Sequence, residues 1–285
     1  MRGHLPLIGV STSITVDKHP ERAYVNSTYL HAIQQAGGVP VPLPPQLSAA
    51  SLDRLLFLAL HRAGWMGAEE VAVLRRLVRP GMQVVDVGAN VGLYSLLLSR
   101  LVGEHGCVYS FEPEPHLCAT LRENCGSNGI TNVVPFEYAA GPSNARQRFQ
   151  RATFNSGNNS LGRGSSDAGT LEVLVVRIDD ILPLGKIDFV KIDVQGHELG
   201  ALAGMERLLS SNPGLRIFFE FWPVGLQRAG NSPESLLDFF RERDFLLYER
   251  AGADLRPARD PVRLIAAMSG GRYTNLLASR SAIDV

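Results

Sequence analysis

Val84-Val85-Asp86-Val87-Gly88-Ala89-Asn90-Val91-Gly92 is the stretch on which the reading of this chain turns. The apolar run around Asp86 predicts a buried strand of a parallel sheet. Leu93-Tyr94-Ser95-Leu96-Leu97-Leu98, directly after it, predicts a helix. Between them Gly88, Asn90 and Gly92 are the residue types that accept a positive φ most readily. A strand, a glycine turn and a helix in that order let backbone N–H groups approach a ligand closely. A tight turn that holds nothing is the plainer alternative. Asp86 is costly to bury inside such a strand unless it accepts hydrogen bonds there.

A second feature narrows the choice. Cys107-Val108-Tyr109-Ser110-Phe111 predicts another strand, ending in Glu112-Pro113. An acidic residue at the end of the second strand, 20 or so residues past the glycine turn, is where a carboxylate binds a ribose diol. The turn reads D-x-G-x-N-x-G, whereas a nicotinamide-binding turn would read G-x-G-x-x-G. The two features together favour an adenosine-containing cofactor.

The whole chain sets wider bounds. Its 285 residues allow one large α/β domain, or one domain with an appendage. Hydrophobic residues at 45 % and charged residues at 20 % describe an ordinary soluble globular protein. Basic and acidic residues number 28 each, so no net field recruits nucleic acid or an anionic membrane. The three cysteines, Cys107, Cys118 and Cys125, lack metal-ligand spacing and read as reduced thiols of a cytoplasmic protein. No apolar run approaches transmembrane length, and Pro6, Asp17 and Lys18 speak against a signal peptide.

Residues 1–57 have a character of their own and are expected to form a βαβ-like extension. Pro6–Val10 predicts a strand, Tyr24–Gln35 a helix ended by Gly37-Gly38, and Val39–Pro45 an edge strand or a polyproline-like run. So short a piece cannot bury a core alone; it is expected to pack on the main domain, to mediate self-association as a homo-oligomer, or to stay poorly ordered. Residues 58–285 form the main domain. Val71, Leu74, Leu77 and Val78 line one face of a helix, with Glu69 and Glu70 at its start and Arg75, Arg76 and Arg79 at its end. A third strand spans Val133–Ala139, nearer the sheet edge because of Pro135. Residues 141–176 then interrupt the rhythm with a hairpin of Gln147–Thr153 and Leu171–Val176 around a polar, glycine-rich loop. The rhythm resumes with a strand over Ile187–Ile192, a helix from His197 to about Leu209, a strand over Ile217–Phe221, and a helix capped by Ser232 with Pro233 in its first turn. Phe245–Tyr248 and Thr274–Ala278 form a terminal antiparallel pair.

Together, "VVDVGANVGLYSLLLSRLV", "VYSFEPEP", "VVRIDDIL", "DFVKIDVQGHELGALAGM" and "IFFEFWP" resemble the FkbM-type family of S-adenosylmethionine (SAM) methyltransferases, from about Trp65 to Ala278. Separately, "PLIGVST", "YLHAIQQAGGVPVPLPP" and "LDRLL" resemble the opening of the class I glutamine amidotransferase-like γ-glutamyl hydrolases, without a downstream nucleophile to go with them. The first resemblance implies a class I methyltransferase fold: a doubly wound, Rossmann-like, mostly parallel seven-stranded sheet with a terminal antiparallel strand pair. It implies SAM as cofactor and transfer of its methyl group to a hydroxyl of a sugar, polyketide or other small metabolite. It assigns the cofactor to Asp86, Gly88, Ala89, Asn90, Gly92, Glu112 and Pro113. A nicotinamide-dependent oxidoreductase and a SAM-fold scaffold without activity are the alternatives.

Asp86, Glu112, Asp193 and Glu220 each fall at or near a strand's carboxyl end, where open α/β sheets bind ligands. Methyl transfer to a hydroxyl is helped by a base, and Asp193 and His197 are the catalytic candidates. His197 opens a helix, whose dipole would keep it neutral. A helix-start residue hydrogen-bonded to backbone is its plainer alternative, and for Asp193 the alternative is a structural partner of Lys191 or a cap of the glycine turn. Lys191, inside a parallel strand, is expected to pair with a carboxylate such as Asp180 or Glu220. Asp179-Asp180 reads as turn capping rather than as a metal pair, and no metal is expected. Glu220, Trp222 and, from the polar loop, Asn159 are candidate acceptor contacts, with core packing as the alternative for Trp222.

Overall fold

The computed structural model describes residues 7–11, 13–14, 23–24, 39–43, 68–150, 160–161, 170–182 and 185–283. The chain divides into two compact units, Met1–Ala72 with Ser127–Gly129, and Val73–Gly126 with Ile130–Val285. In the first, β1 (Leu7–Ser11) is followed by the short antiparallel pair β2 (Ser13–Ile14) and β3 (Ala23–Tyr24), and then by β4 (Val39–Leu43). β1 and β4 pair in parallel with Leu7 opposite Val39, as a βαβ-like piece requires. The helix expected over Tyr24–Gln35 lies, but for Tyr24, outside the described residues.

α1 (Ala68–Leu77) carries its acidic residues in the first turn and its basic ones in the last, and it buries Val71, Val73, Leu74 and Leu77. The second unit then runs β5 (Gln83–Val87), α2 (Leu93–Val102), β6 (Cys107–Phe111), α3 (Pro115–Ser127) and β7 (Val133–Phe136). A side sheet follows, built from β8 (Ala139–Ala140), β9 (Ala145–Gln150), β10 (Ser160–Leu161) and β11 (Thr170–Val176). After α4 (Ile178–Ile181) come β12 (Phe189–Ile192), α5 (Glu198–Ala203), α6 (Glu206–Ser211), β13 (Arg216–Phe221), α7 (Pro223–Arg228) and α8 (Pro233–Arg241). β14 (Leu246–Ala251), β15 (Asp254–Pro257), α9 (Pro261–Ala267) and β16 (Thr274–Ser279) close the unit.

The main sheet has the order β15-β14-β16-β13-β12-β5-β6-β7. The five strands from β13 to β7 are parallel, and β16 inserts antiparallel between β13 and β14. This is the mostly parallel α/β sheet with a terminal antiparallel pair read from the sequence, with one strand more than the expected seven. The extra strand, β15, folds back on β14 through a two-residue turn in which Gly252 takes φ +70°, so Ala251 faces Asp254. Strand order reverses between β5 and β12, since β6 and β7 extend one way and β13 the other.

The side sheet contains the expected hairpin as β9 and β11, flanked by β10 and by β8, which pairs with β11 in parallel. The third strand therefore ends at Phe136 and does not run on to Ala139, because Ala139 and Ala140 belong to this second sheet. The single helix expected from His197 to Leu209 is two short ones. At the break, a Cβ on Gly204 would lie 2.1 Å from the Gly141 carbonyl oxygen, and Asp179 caps α6 by accepting from Arg207 N (2.8 Å) and Leu208 N (2.9 Å). Asp179 thus acts as a cap, across the chain rather than in its own turn.

The apolar faces of β5, β12 and β13 meet α5, α6 and α8 in one core that includes Val85, Ile192, Leu202, Phe219 and Phe240. The Phe219 and Phe240 rings stack at 4.6 Å. Next to this core, Gly196 (φ +97°) packs on Gly225, and a Cβ at 196 would stand 2.2 Å from the Gly225 carbonyl oxygen. Gly81 also has a positive φ (+84°), but open space surrounds it. Gly81→Ala is therefore expected to cost only the left-handed penalty, about 1–2 kcal/mol. Gly196→Ala adds a backbone clash and should cost about 2–5 kcal/mol in urea denaturation. Equal losses would show that the approach to Gly225 is unimportant.

Candidate functional site

The turn after β5 is shaped by three successive departures from ordinary backbone geometry: Gly88 at φ +82°, Asn90 at +52° and Gly92 at +92°. A Cβ on Gly88 would stand 1.9 Å from the Asp193 carbonyl oxygen, so the turn lies directly against the end of β12. Gly88 N and the buried Ala89 N both donate to Phe111 O, at 2.9 and 3.0 Å, which binds the turn to the end of β6. Asn90 stabilises its own left-handed conformation by accepting Val91 N on Oδ1 (2.8 Å). Gly92 caps α2, and its missing side chain leaves room for Leu121. Three strand ends therefore converge at the point where strand order reverses, the position at which open α/β sheets bind ligands.

Asp86 supports this turn from beneath. It is 0 % exposed, and its Oδ2 accepts from Ser95 Oγ at 2.6 Å while Ser110 Oγ donates to Ser95 Oγ at 2.9 Å. Burial raises its pKa, against the opposing pull of Lys191. Lys191 sits opposite Asp86 in the β5–β12 register, with Nζ 3.7 Å from Asp86 Oδ1 and 3.4 Å from Asp193 Oδ2. Its ammonium lies 4.2 Å from the centroid of the Tyr94 ring. The sequence reading gave Lys191 a carboxylate partner, such as Asp180 or Glu220, and offered Asp193 as a structural partner too. The structure sets Asp86 opposite it through the β5–β12 register and Asp193 two residues further along the chain.

Glu112 follows β6 directly. Its Oε2 accepts Asn90 N (2.8 Å) and its Oε1 accepts Glu114 N (2.9 Å), so the carboxyl group links the glycine turn to its own loop. It is 4 % exposed, no ion pair joins it to a described basic residue, and burial pushes its pKa up to about 7. Pro113 beside it is half-buried.

On the β12 side, Asp193 is the open member, with its side chain 31 % exposed. Gln195, at φ +54°, donates from Nε2 to Asp193 Oδ1 (3.0 Å) and to Glu220 Oε2 (2.9 Å). A single amide thus holds two strand-tip carboxylates together. Sequence reasoning missed Gln195 as a site residue, and its position inside a glycine turn was the available signal. It also missed Glu198, whose Oε1 fills that turn by accepting Gly196 N (3.1 Å) and Val194 N (3.4 Å). Glu198 is 1 % exposed, its Oε2 has no hydrogen-bond partner among the described residues, and burial raises its pKa to about 7.

His197 is the N-cap residue of α5, and its pKa is lowered as expected, although the chief cause is burial. Its Nε2 lies 2.7 Å from Leu161 O. A carbonyl only accepts, so Nε2 carries the proton and the ring ties β10 to the β12–α5 turn. Trp222 caps α7, donates Nε1–H to Gly271 O (3.2 Å), and packs its ring on Gly225. The structure thus brings Asp86, Gly88, Ala89, Asn90, Gly92, Glu112, Asp193 and Glu220 to one end of the sheet. Asn159 lies outside the described residues.

Because the folded state holds the Glu198 proton more tightly than the unfolded chain, Glu198 contributes stability fully below about pH 4.5, and the contribution is lost as pH rises through about 7. Glu198→Gln removes this dependence. The stability difference between variant and wild type should move in the variant's favour by about 2–3 kcal/mol between pH 5 and pH 8. Parallel denaturation curves at both pH values would read the change directly, and an unchanged difference would exclude Glu198 as the titrating group.

Two family profiles match the chain: Methyltransferase FkbM domain over residues 86–247, and Peptidase C26 over residues 6–61. Among similar proteins, the hexuronic acid methyltransferase AglP of Haloferax volcanii is 29 % identical over 129 residues, covering 44 % of this chain and 51 % of that protein. The 31-O-demethyl-FK506 methyltransferase FkbM of Streptomyces tacrolimicus is 29 % identical over 160 residues, covering 45 % and 61 %. The chain thus spans about half the length of the curated relatives it matches. A solved SAM-dependent methyltransferase from Aquifex aeolicus superposes with a TM-score of 0.43 at 17 % identity, over 82 % of this chain and 98 % of that one. The FkbM profile covers more than half of the 285 residues and begins at Asp86, the residue beneath the glycine turn; the chain belongs to the FkbM methyltransferase domain family.

Proposed function

We propose that this protein is a SAM-dependent methyltransferase acting on a hydroxyl oxygen of a small molecule, such as a sugar, a polyketide or another secondary metabolite. Glu112 is the observation that carries the reading. Among the described residues its buried carboxyl group has no cationic partner, and each oxygen receives one backbone N–H. A carboxylate oxygen has a second lone pair, so the two hydroxyls of a ribose diol supply the donors this group lacks. The turn over Gly88–Gly92 and the acidic strand ends around it suit an adenosine bearing a sulfonium cation. When bound, the cofactor supplies an electrophilic methyl group.

The protein's own groups do the rest. Asp193, at the open end of the cleft and oriented by Gln195 and Lys191, takes the proton of the acceptor hydroxyl. His197 has its Nε2 committed to Leu161, so we assign it to holding the edge of the side sheet, and we favour Asp193 as the base. Glu220 and Trp222 border the acceptor side, where positioning the hydroxyl lowers the barrier most. Two relatives are named for a hexuronic acid and for 31-O-demethyl-FK506, which supports an oxygen acceptor on a small molecule. No helix among the described residues is long and apolar enough to cross a membrane. The free cysteines, two of them buried, accord with the cytoplasm as the site of action.

Calorimetric titration with S-adenosylhomocysteine (SAH) tests the reading. Micromolar binding is expected, weakened by about 1–3 kcal/mol in Glu112→Ala. A well-folded wild type that binds neither SAM nor SAH would leave a scaffold. The pH dependence has a definite sign. Ribose hydroxyls favour the ionised carboxylate, so below about pH 7 binding must expel the Glu112 proton. SAH affinity should rise about tenfold from pH 6 to pH 8 and flatten above. In Glu112→Gln the profile should be flat; a slope that survives the substitution would assign the proton elsewhere.

A further inference from the structure

Lys191 stands at an unusual place for an ammonium group. It is 3 % exposed, on a central strand of the sheet, enclosed by Asp86, Asp193 and the ring of Tyr94. The strand ends around it are rich in carboxylates. Asp86 and Asp193 act electrostatically on each other, Glu112 feels Asp86, and Glu198 feels Asp193. Glu220 joins them through the Gln195 amide. Removing Asp86 and Lys191 from water is expensive, and a structural pair could have been replaced by apolar residues at little loss. The position of the pair, under the turn and at the switch of strand order, suggests another reason for keeping it.

We propose that Lys191 balances the charge of this acidic floor so that the site does not bind a sulfonium far more tightly than a thioether. The inference rests on the methyltransferase reading above. When a methyl group passes from sulfur to a hydroxyl oxygen, a C–O bond forms, the sulfur keeps the pair from the broken S–C bond, and the hydroxyl proton goes to Asp193. The positive charge on sulfur is therefore lost along the reaction. A floor of unbalanced carboxylates would stabilise the charged reactant more than the transition state, which slows the step. One buried ammonium between Asp86 and Asp193 removes that bias while leaving both carboxylates in place. Its effect reaches across several ångströms, because the charge lies in a poorly screened interior.

SAM and SAH share the adenosine and amino-acid parts, and only the former bears the methyl group and the charge on sulfur. The ratio of their dissociation constants therefore reads the electrostatics near sulfur and cancels general losses of affinity or stability. Calorimetry with both ligands on wild type, Lys191→Met and Lys191→Arg gives that ratio. Preference for SAM over SAH should rise about tenfold in Lys191→Met and stay near wild type in Lys191→Arg, which keeps the charge. If Lys191→Met does not fold, Lys191→Gln, which keeps a polar group facing Asp86 and Asp193 but carries no charge, should show the same rise. A ratio within twofold of wild type in the folded charge-free variant would overturn the proposal and reduce Lys191 to a structural residue. A wild type that binds neither ligand would overturn the methyltransferase reading itself, and this inference with it.

Discussion

A side chain at position 88 has nowhere to go: its Cβ would stand 1.9 Å from the Asp193 carbonyl oxygen and 2.9 Å from the carbonyl carbon. That steric constraint joins the end of β5 to the end of β12 where the strand order reverses, and much of the candidate site depends on it. The same turn donates twice to Phe111 O, which draws in the end of β6 with Glu112 beside it. On the far side the Gly196–Gly225 approach sets the β12–α5 turn against α7, and so places Gln195 between Asp193 and Glu220. Glycine at 88 and at 196 thus serves both sterics and backbone conformation, since each also takes a positive φ.

Gathering five carboxylates at one end of a sheet is electrostatically unfavourable unless each finds donors. The fold supplies them in different ways. Ser95 serves Asp86, backbone N–H groups serve Glu112 and Glu198, and the Gln195 amide serves Asp193 and Glu220. Lys191 adds a buried opposing charge among them. Glu112 and Glu198 are each raised to about 7 by burial, and burial raises Asp86 as well. Groups whose pKa values are displaced by desolvation in a cleft are the ones that ligand binding or catalysis can use. The strained φ of Asn90 and Gln195 falls in the same place, a cost that the surrounding packing must offset.

Much of this was legible in the sequence, for reasons that are local. The D-x-G-x-N-x-G spacing marks positive-φ positions directly, and Asn90 and both glycines take such φ values. Ser232 and Pro233 announce the start of α8, where Ser232 Oγ accepts Ser235 N at 3.0 Å. The terminal strands pair as expected, Leu246 with Ser279. Other features were out of reach. The helix after His197 breaks at Gly204 because of the Gly141 carbonyl and the Asp179 cap, both of which come from distant parts of the chain. For His197 the sequence offered either a base or a helix-start residue hydrogen-bonded to backbone, and only the placement of β10 supplies the backbone partner, Leu161 O.

The sequence by itself determined the alternation of strands and helices, the glycine turn, the helix caps and the family, because hydrophobic period, the sign of φ and capping chemistry are properties of a few consecutive residues. Tertiary structure alone decided which donor meets which carboxylate. Lys191 pairs with Asp86 because β5 is the neighbour of β12 and their register sets the two residues opposite each other. Strand order and register arise from long-range packing, and no spacing along one chain states them.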